Sequence, residues 1–99
     1  MGSLRLTLVT RRDCHLCDEM AAVIASVARE LAVEVEVRDV DADPDLQARY
    51  NDEVPVLLVE GRKAFKYRVT ASELRRRLCA ESRRATLRRW RERLGGRST

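Results

Sequence analysis

The sequence lacks the features that mark membrane-spanning and secreted proteins. No run approaches the roughly 18 apolar residues that a bilayer-spanning helix needs, and no signal-peptide pattern follows the N-terminus. Three cysteines in 99 residues are an odd number, which does not suit the disulfide framework of a small secreted domain. We therefore expect a cytoplasmic protein with a modest core and no membrane partner.

Histidine and aromatic residues are also scarce. A structural zinc site needs four ligands, and His15, one Cys-x-x-Cys pair and the remote Cys79 do not supply them, so we predict no metal. The single Trp90 and the lack of a groove-reading motif argue against specific nucleic-acid binding.

Charges are divided unevenly along the chain. Residues 1–73 carry ten basic and fourteen acidic side chains, whereas residues 74–99 carry ten arginines and two glutamates. The net charge of +4 therefore combines an acidic body with a basic C-terminal segment. Residues 75–93 form either a solvated helix face or a site for an acidic partner, and the sequence leaves both open.

Two cysteines stand where a strand pattern meets a helical one. Cys14-His15-Leu16-Cys17 follows the alternating residues 4–10 and precedes apolar residues at helical spacing. A dithiol in this position is the redox form of a Cys-x-x-Cys motif. Because the N-terminus of a helix stabilises a thiolate, Cys14 is the expected nucleophile. Cys17 lies on the same helical face and is the expected resolving thiol.

Neighbouring residues act on this dithiol. Arg11 and Arg12 favour the Cys14 thiolate while Asp13 and other acids oppose them, so we predict a modest lowering of the thiol pKa. His15 lies on the exposed side of the first turn, where it either stabilises the thiolate as a cation or is simply solvated. Cys79 is expected to be an inert, partly buried thiol.

The remaining patterns give the element order β-α-β-α-β-β-α. The predicted strands cover residues 4–10, 33–38, 54–59 and 64–69, and the helices cover residues 14–31, 44–50 and 71 onwards. Asp13 and Asp43 are the predicted N-caps, the second strand is expected to be half-buried, and Glu60-Gly61-Arg62 forms a hairpin turn. Thr70 and Glu73 form a capping box.

The apolar residues of the last helix change phase. Leu74, Leu78 and Ala85 fall on one face, but Leu87, Trp90 and Leu94 fall on nearly the opposite one. We expect a segment of residues 71–80 on the sheet and a second segment, residues 82–94, bent away or docked elsewhere.

With these features, the sequence resembles small bacterial glutaredoxin-like proteins of the thioredoxin fold over about residues 4–80. The likeness is carried by Thr10-Arg11-x-x-Cys14-x-x-Cys17, by the Asp-rich residues 39–44, and by Val54-Pro55-Val56. It implies an α/β three-layer sandwich with a four-stranded mixed sheet. It divides the chain into a domain of residues 1–80 and a basic helical extension of residues 81–99.

The resemblance also implies an activity and a set of site residues. The protein would reduce protein or glutathione mixed disulfides with no bound cofactor, and glutathione is a candidate co-substrate. Pro55 would be cis and face the dithiol, leaving the Val54 backbone free to pair with an extended peptide or glutathione. Arg11 resembles a basic residue that glutaredoxins keep near glutathione, and Arg12 and His15 complete the candidate binding set.

The chain departs from glutaredoxins at two places. Cys-His-Leu-Cys replaces Cys-Pro-Tyr-Cys, and residues 66–71 replace a Gly-Gly-x-Asp segment that binds glutathione. The electron donor therefore stays open between glutathione and a thioredoxin reductase. Two other interpretations remain. One is a non-enzymatic module that recruits an acidic partner through the basic helix, and the other is a [2Fe–2S] cluster that bridges two monomers through Cys14 and glutathione. We expect a monomer.

Overall fold

The apolar segments form four strands and three helices in a computed structural model, which describes residues 3–95. The elements are β1 (Leu4–Thr10), α1 (His15–Ala28), β2 (Val33–Asp39), α2 (Pro44–Tyr50), β3 (Val56–Val59), β4 (Arg62–Lys66) and α3 (Ala71–Gly95), with a 3₁₀ turn at Val40–Ala42. The predicted order β-α-β-α-β-β-α is confirmed.

The strands form one mixed sheet in the order β2-β1-β3-β4. β1 and β2 are parallel and are joined through α1, while β3 is antiparallel to both β1 and β4. The C-terminal end of β1 and the N-terminal end of β3 lie at the same end of the sheet, where Val9 is paired with Val56. Since α1 begins directly after β1, this end of the sheet carries the Cys-x-x-Cys segment.

The core has two layers, one on each face of the sheet. The larger layer joins β1 and β3 to the inner sides of α1 and α3; its buried members are Leu4, Leu6, Leu8, Met20, Ile24, Val27, Leu57, Val59, Val69, Leu74 and Leu78. The smaller layer lies under α2 and comprises Val9, Val40, Val56 and Leu58. Because successive side chains of β3 point to opposite layers, all four of its residues are buried, as its continuous apolar run predicted.

The second strand is far more exposed than its alternating sequence predicted. Only Val33 is partly buried, while Val35 and Val37 are 43% and 63% exposed. β2 lies at the edge of the sheet, and α1 and α3 pack their apolar sides mainly over the two central strands. Periodicity identifies a strand with an apolar face, but it does not say whether anything covers that face.

The third helix is continuous, and the predicted break into two segments is wrong. Residues 71–94 contain no glycine or proline, and arginine, leucine, alanine and glutamate are good helix formers. The change of phase therefore does not end the helix; it leaves Leu87, Trp90 and Leu94 more than half exposed. Whether residues 81–99 form a separable unit stays a prediction.

Smaller differences concern the element ends. β4 begins at Arg62 and ends at Lys66, because the hairpin turn needs only Glu60 and Gly61, both with positive φ. The N-cap of α1 is Cys14 and not Asp13, which has a φ of 56°. Asp43 caps α2 as predicted. The capping box of α3 is confirmed, since Thr70 N–H donates to Glu73 at 2.9 Å and Glu73 N–H donates to Thr70 Oγ1 at 3.1 Å.

Candidate active site

The two cysteines of the motif form a disulfide at the start of α1. Cys14 and Cys17 have a Cα–Cα distance of 5.2 Å, and the Cys17 backbone N–H donates to Cys14 Sγ at 3.1 Å. Cys14 is half-buried at the N-cap position, while Cys17 is only 3% exposed, in the first turn. In the reduced form, an N–H directed at Cys14 Sγ favours its thiolate. The helix N-terminus therefore favours the thiolate of Cys14, the more accessible of the two cysteines.

Arg11 is committed to side chains on other loops. Its Nε and Nη2 donate to the two carboxylate oxygens of Asp41 at 2.9 and 3.0 Å, and its remaining N–H groups contact Asn51. The hydrogen bonds from Arg11 hold the pKa of Asp41 below its ordinary value, and those to Asp41 raise the pKa of Arg11. Arg11 therefore fastens the loop before the dithiol to the segments on either side of α2, with its charge neutralised by Asp41.

The other two polar candidates are exposed beside the dithiol. Arg12 makes no side-chain hydrogen bond or ion pair with any of residues 3–95, so it is the free cation of this loop. His15 has an 88% exposed side chain, and its Nε2 lies 3.0 Å from a Glu19 carboxylate oxygen, one turn along α1. Of the two arginines that the sequence placed here, Arg12 is the one available to a carboxylate ligand.

The Val54–Pro55 segment lies at the same end of the sheet as the dithiol. Its peptide bond is cis, as the resemblance implied, and Pro55 directly precedes Val56, the partner of Val9. The Pro55 carbonyl accepts a hydrogen bond from Tyr67 N–H at 2.8 Å. The Val54 N–H and C=O have no hydrogen-bond partner within the described part of the chain. The backbone N–H and C=O of Val54 are therefore available to a partner outside residues 3–95.

Tyr67 is a site residue that the sequence interpretation missed. Its φ of 67° is unusual for a bulky residue, and its hydroxyl donates to the Asp52 carbonyl at 3.2 Å. Together with its N–H bond to Pro55, this contact makes Tyr67 bracket the Val54–Pro55 segment. One signal was present, because Tyr67 lies in residues 66–71, which replace the Gly-Gly-x-Asp segment of glutaredoxins, and glycine adopts a positive φ without strain.

A groove lies beside Tyr67, between α1 and the start of α3. It has a volume of about 380 Å³ and is lined by Glu19, Met20, Val23, Tyr67, Arg68, Val69, Thr70 and Glu73. Met20 follows Cys17 by three residues, so the groove begins one helical turn from the buried sulfur. Its size is within the range of pockets that hold small ligands.

Cys79 is at the opposite end of the molecule and is exposed, so its predicted partial burial is wrong. It lies with Leu4 and Ala32 at the start of β1, about 20 Å from the dithiol end if seven strand residues are counted. Its position on α3 turns it away from the buried face that holds Leu78. Direct exchange between Cys79 and the Cys14–Cys17 pair is therefore excluded by distance.

Residues 3–95 contain neither a metal-binding cluster nor a membrane-spanning helix. No group of three or more His, Cys, Asp or Glu side chains there is arranged to hold a metal ion. None of the described helices combines the length and apolar character needed to span a bilayer.

Comparison with known proteins identifies the family. The model of the family described as Glutaredoxin-like domain (DUF836) matches residues 5–79. The chain belongs to this family. It is 31% identical over 80 residues to the uncharacterized protein Rv0508 of Mycobacterium tuberculosis, which covers 76% of this chain and 82% of the relative.

Solved structures show the same fold. Protein XcR50 of X. campestris is 36% identical with a TM-score of 0.64, and the match covers 76% of this chain and 96% of that one. Protein Ne2328 of Nitrosomonas europaea is 30% identical with a TM-score of 0.66, covering 75% and 89%. Fasciola hepatica thioredoxin, at 21% identity, has a TM-score of 0.58 and covers 80% and 81%; it shows the fold alone. The chain is thus a glutaredoxin-like protein with a thioredoxin fold and a cysteine pair at its site.

Proposed function

We propose that this glutaredoxin-like protein is a thiol–disulfide oxidoreductase of the reducing cytoplasm. The observation that carries the proposal is the asymmetry of the cysteine pair. Cys14 is accessible and occupies the helix N-cap, whereas Cys17 is 3% exposed and lies within bonding distance of it. A nucleophile must reach its substrate, while a resolving thiol needs to reach only the nucleophile.

The proposed reaction transfers two electrons to a substrate disulfide. The Cys14 thiolate attacks one substrate sulfur, the substrate S–S bond breaks, and the second substrate sulfur leaves as a thiolate that takes up a proton. Cys17 then loses its proton and attacks Cys14 Sγ, which releases the first substrate sulfur and forms the Cys14–Cys17 disulfide. Glutathione or a thioredoxin reductase returns the two electrons to the disulfide.

The surroundings of the dithiol suit a short extended substrate. The unpaired backbone of Val54 accepts a strand-like segment, and the adjoining groove beside Tyr67 takes the residues that follow. Arg12 supplies a free cation for a substrate carboxylate. Glutathione and cysteine-containing peptides both have these properties.

The test is a disulfide-reduction assay run with each electron donor. Insulin and a glutathione mixed disulfide are offered as substrates, with NADPH and either glutathione plus glutathione reductase or thioredoxin reductase. Turnover with one of these systems is expected. If dithiothreitol reduces the Cys14–Cys17 bond but neither system supports turnover, the oxidoreductase proposal is wrong and a non-enzymatic module is favoured.

A further inference from the structure

The second half of α3 presents a surface that the dithiol chemistry does not use. We call the side of α3 that points away from the sheet its outer face, within residues 76–94. Leu87, Trp90 and Leu94 lie within about 60° of one another there and are 56%, 54% and 58% exposed. Leu74 and Leu78, which are buried, lie on nearly the opposite side of the helix. The body of the protein therefore leaves this apolar stripe uncovered.

The charges on this face have one sign. Arg76, Arg83, Arg84 and Arg91 flank the apolar stripe at helical spacing. The two acidic residues of the same segment point the other way: Glu81 is buried, and Glu92 lines a groove against Leu4 and Glu60. Of these four arginines, Arg84 donates to Glu81 at 2.9 Å, while Arg76, Arg83 and Arg91 have no carboxylate partner within residues 3–95.

The positive charge of the outer face limits which partner surfaces this face can bind. Two copies of the outer face would bring two sets of arginines together, so pairing of α3 with α3 of a second copy is disfavoured. A nucleic acid would satisfy the arginines but would leave the leucines on a polar backbone. An anionic phospholipid surface offers phosphates and an apolar layer directly beneath them, which matches a tryptophan and two leucines between arginines.

We propose that the outer face of α3 binds an anionic phospholipid surface, with α3 lying in the plane of the interface. Leu87, Trp90 and Leu94 enter the boundary between headgroups and acyl chains, and the arginines contact phosphates. The expectation of no membrane partner rested on the lack of a spanning run, which an interfacial helix does not need.

The position of this face keeps the dithiol free. α3 begins beside the Val54–Pro55 segment, and Leu87 follows Ala71 by sixteen residues, or about 24 Å of helix. The membrane contact is therefore at the end of the molecule opposite to Cys14. Docking would confine the dithiol to a layer near the membrane without obstructing it, so disulfides at that surface would be preferred substrates.

Trp90 is the only tryptophan, so its fluorescence reports directly on this contact. The experiment titrates the full-length protein with vesicles of phosphatidylglycerol and, separately, of phosphatidylcholine. We expect a blue shift of Trp90 emission and co-sedimentation with the anionic vesicles only, both reversed by high salt. Sedimentation without any lipid, over a range of protein concentrations, establishes the oligomeric state.

Two double variants with equal charge loss test which side of the helix binds. R83Q/R91Q removes two arginines of the outer face, of which Arg83 also borders the groove beside Leu31 and Ala32. R88Q/R89Q removes two that line the groove against Leu4 and Glu60. With about 1 kcal/mol for each arginine near an anionic surface, R83Q/R91Q should weaken binding about 30-fold. R88Q/R89Q should weaken it clearly less. L87S/L94S, which keeps every charge, should abolish the blue shift.

Several results would overturn the proposal. These are no shift with anionic vesicles, equal weakening by the two arginine pairs, and an unchanged shift in L87S/L94S. A blue shift that appears with protein concentration alone would assign the face to a second copy instead. A shift with an RNA oligonucleotide that matches or exceeds the shift with anionic vesicles would assign it to nucleic acid. Activity on a soluble disulfide serves as the folding control, because none of these variants touches the dithiol end.

Discussion

The two ends of the sheet differ in how their polar groups are used. At the dithiol end, side chains are tied to partners from distant segments, as Arg11 is to Asp41 and Asn51 and Tyr67 is to Asp52. At the opposite end, α3 continues past the sheet with exposed leucines and arginines. The first arrangement fixes a small set of reacting groups in place, whereas the second leaves a surface available to a partner. The same helix, α3, belongs to both.

Cysteine substitution should give the largest difference between the two ends. C14S should abolish reduction of insulin and of glutathione mixed disulfides, because it removes the attacking sulfur. C17S should abolish insulin reduction but preserve turnover of the mixed disulfide, which a single thiol can support with glutathione. C79S is the matched control. It should leave both activities unchanged, although Cys79 is more exposed than Cys14.

Comparable losses in C79S and C14S would contradict the assignment. That result would mean that the exposure of a thiol decides whether it reacts. The N-cap position of Cys14 and the neighbouring Cys17 sulfur would then not be decisive. Alkylation of the reduced protein across a pH range supplies an independent check, since Cys14 should react at lower pH than Cys17.

The next largest effect should come from the junction between the two ends. Glu81 is 3% exposed, and its carboxylate contacts Arg77 at 3.2 Å and Arg84 at 2.9 Å on α3 and Arg62 at 3.8 Å on β4. E81Q keeps the shape but removes the charge that these three arginines face. We expect a loss of about 1–3 kcal/mol in the free energy of unfolding, measured in urea.

E92Q is the control for this prediction. Glu92 lies on the same helix and is exposed, so its neutral variant should change the free energy of unfolding by less than about 0.5 kcal/mol. If E81Q is no more destabilising than E92Q, the arginine contacts of Glu81 do not hold α3 to the hairpin.

A smaller effect is expected from shortening α3. Truncation after Ala85 removes Leu87, Trp90 and Leu94 but preserves the Arg84–Glu81 contact, so it should cost less than about 1 kcal/mol and leave dithiol activity intact. Truncation after Glu81 removes Arg84 as well and should be measurably less stable. Circular dichroism during urea unfolding distinguishes the two. An unfolded protein after the shorter deletion would show that the last turns belong to the core.

Much of the fold could be predicted because its signals are local. The strand alternation of residues 4–10, the Asp43 cap with Pro44 and the capping box at Thr70 depend only on neighbouring residues. The exposure of β2 could not be predicted, because burial depends on what packs over a strand. The change of apolar phase in α3 predicts a break, but residues 71–94 contain no glycine or proline that would end the helix, so it continues.

The candidate site shows the same division. Cys14 and Cys17 are visible from spacing alone, since their chemistry needs only one helical turn. The role of Arg11 depends on Asp41 and Asn51, which lie 30 and 40 positions away, and Tyr67 acts on Asp52 and Pro55 across the hairpin. A single sequence carries no information about such distant partners, so the contacts of Arg11 with Asp41 and Asn51 could not be predicted from it.

The smallest predicted effect concerns pH and the Arg11–Asp41 pair. Hydrogen bonding to Arg11 lowers the pKa of Asp41 below its ordinary 3.8 in the folded protein. A carboxyl group whose pKa is lower in the folded than in the unfolded protein stabilises the fold at pH values above its unfolded pKa. This stabilisation is lost as the pH falls through its folded pKa. Wild type should therefore have a higher urea midpoint than D41N at pH 7, and this advantage should shrink only below about pH 3.8. D45N, which alters an exposed carboxylate on α2, should match wild type throughout. If the advantage over D41N persists unchanged to pH 2, the charge of Asp41 does not stabilise the dithiol loop.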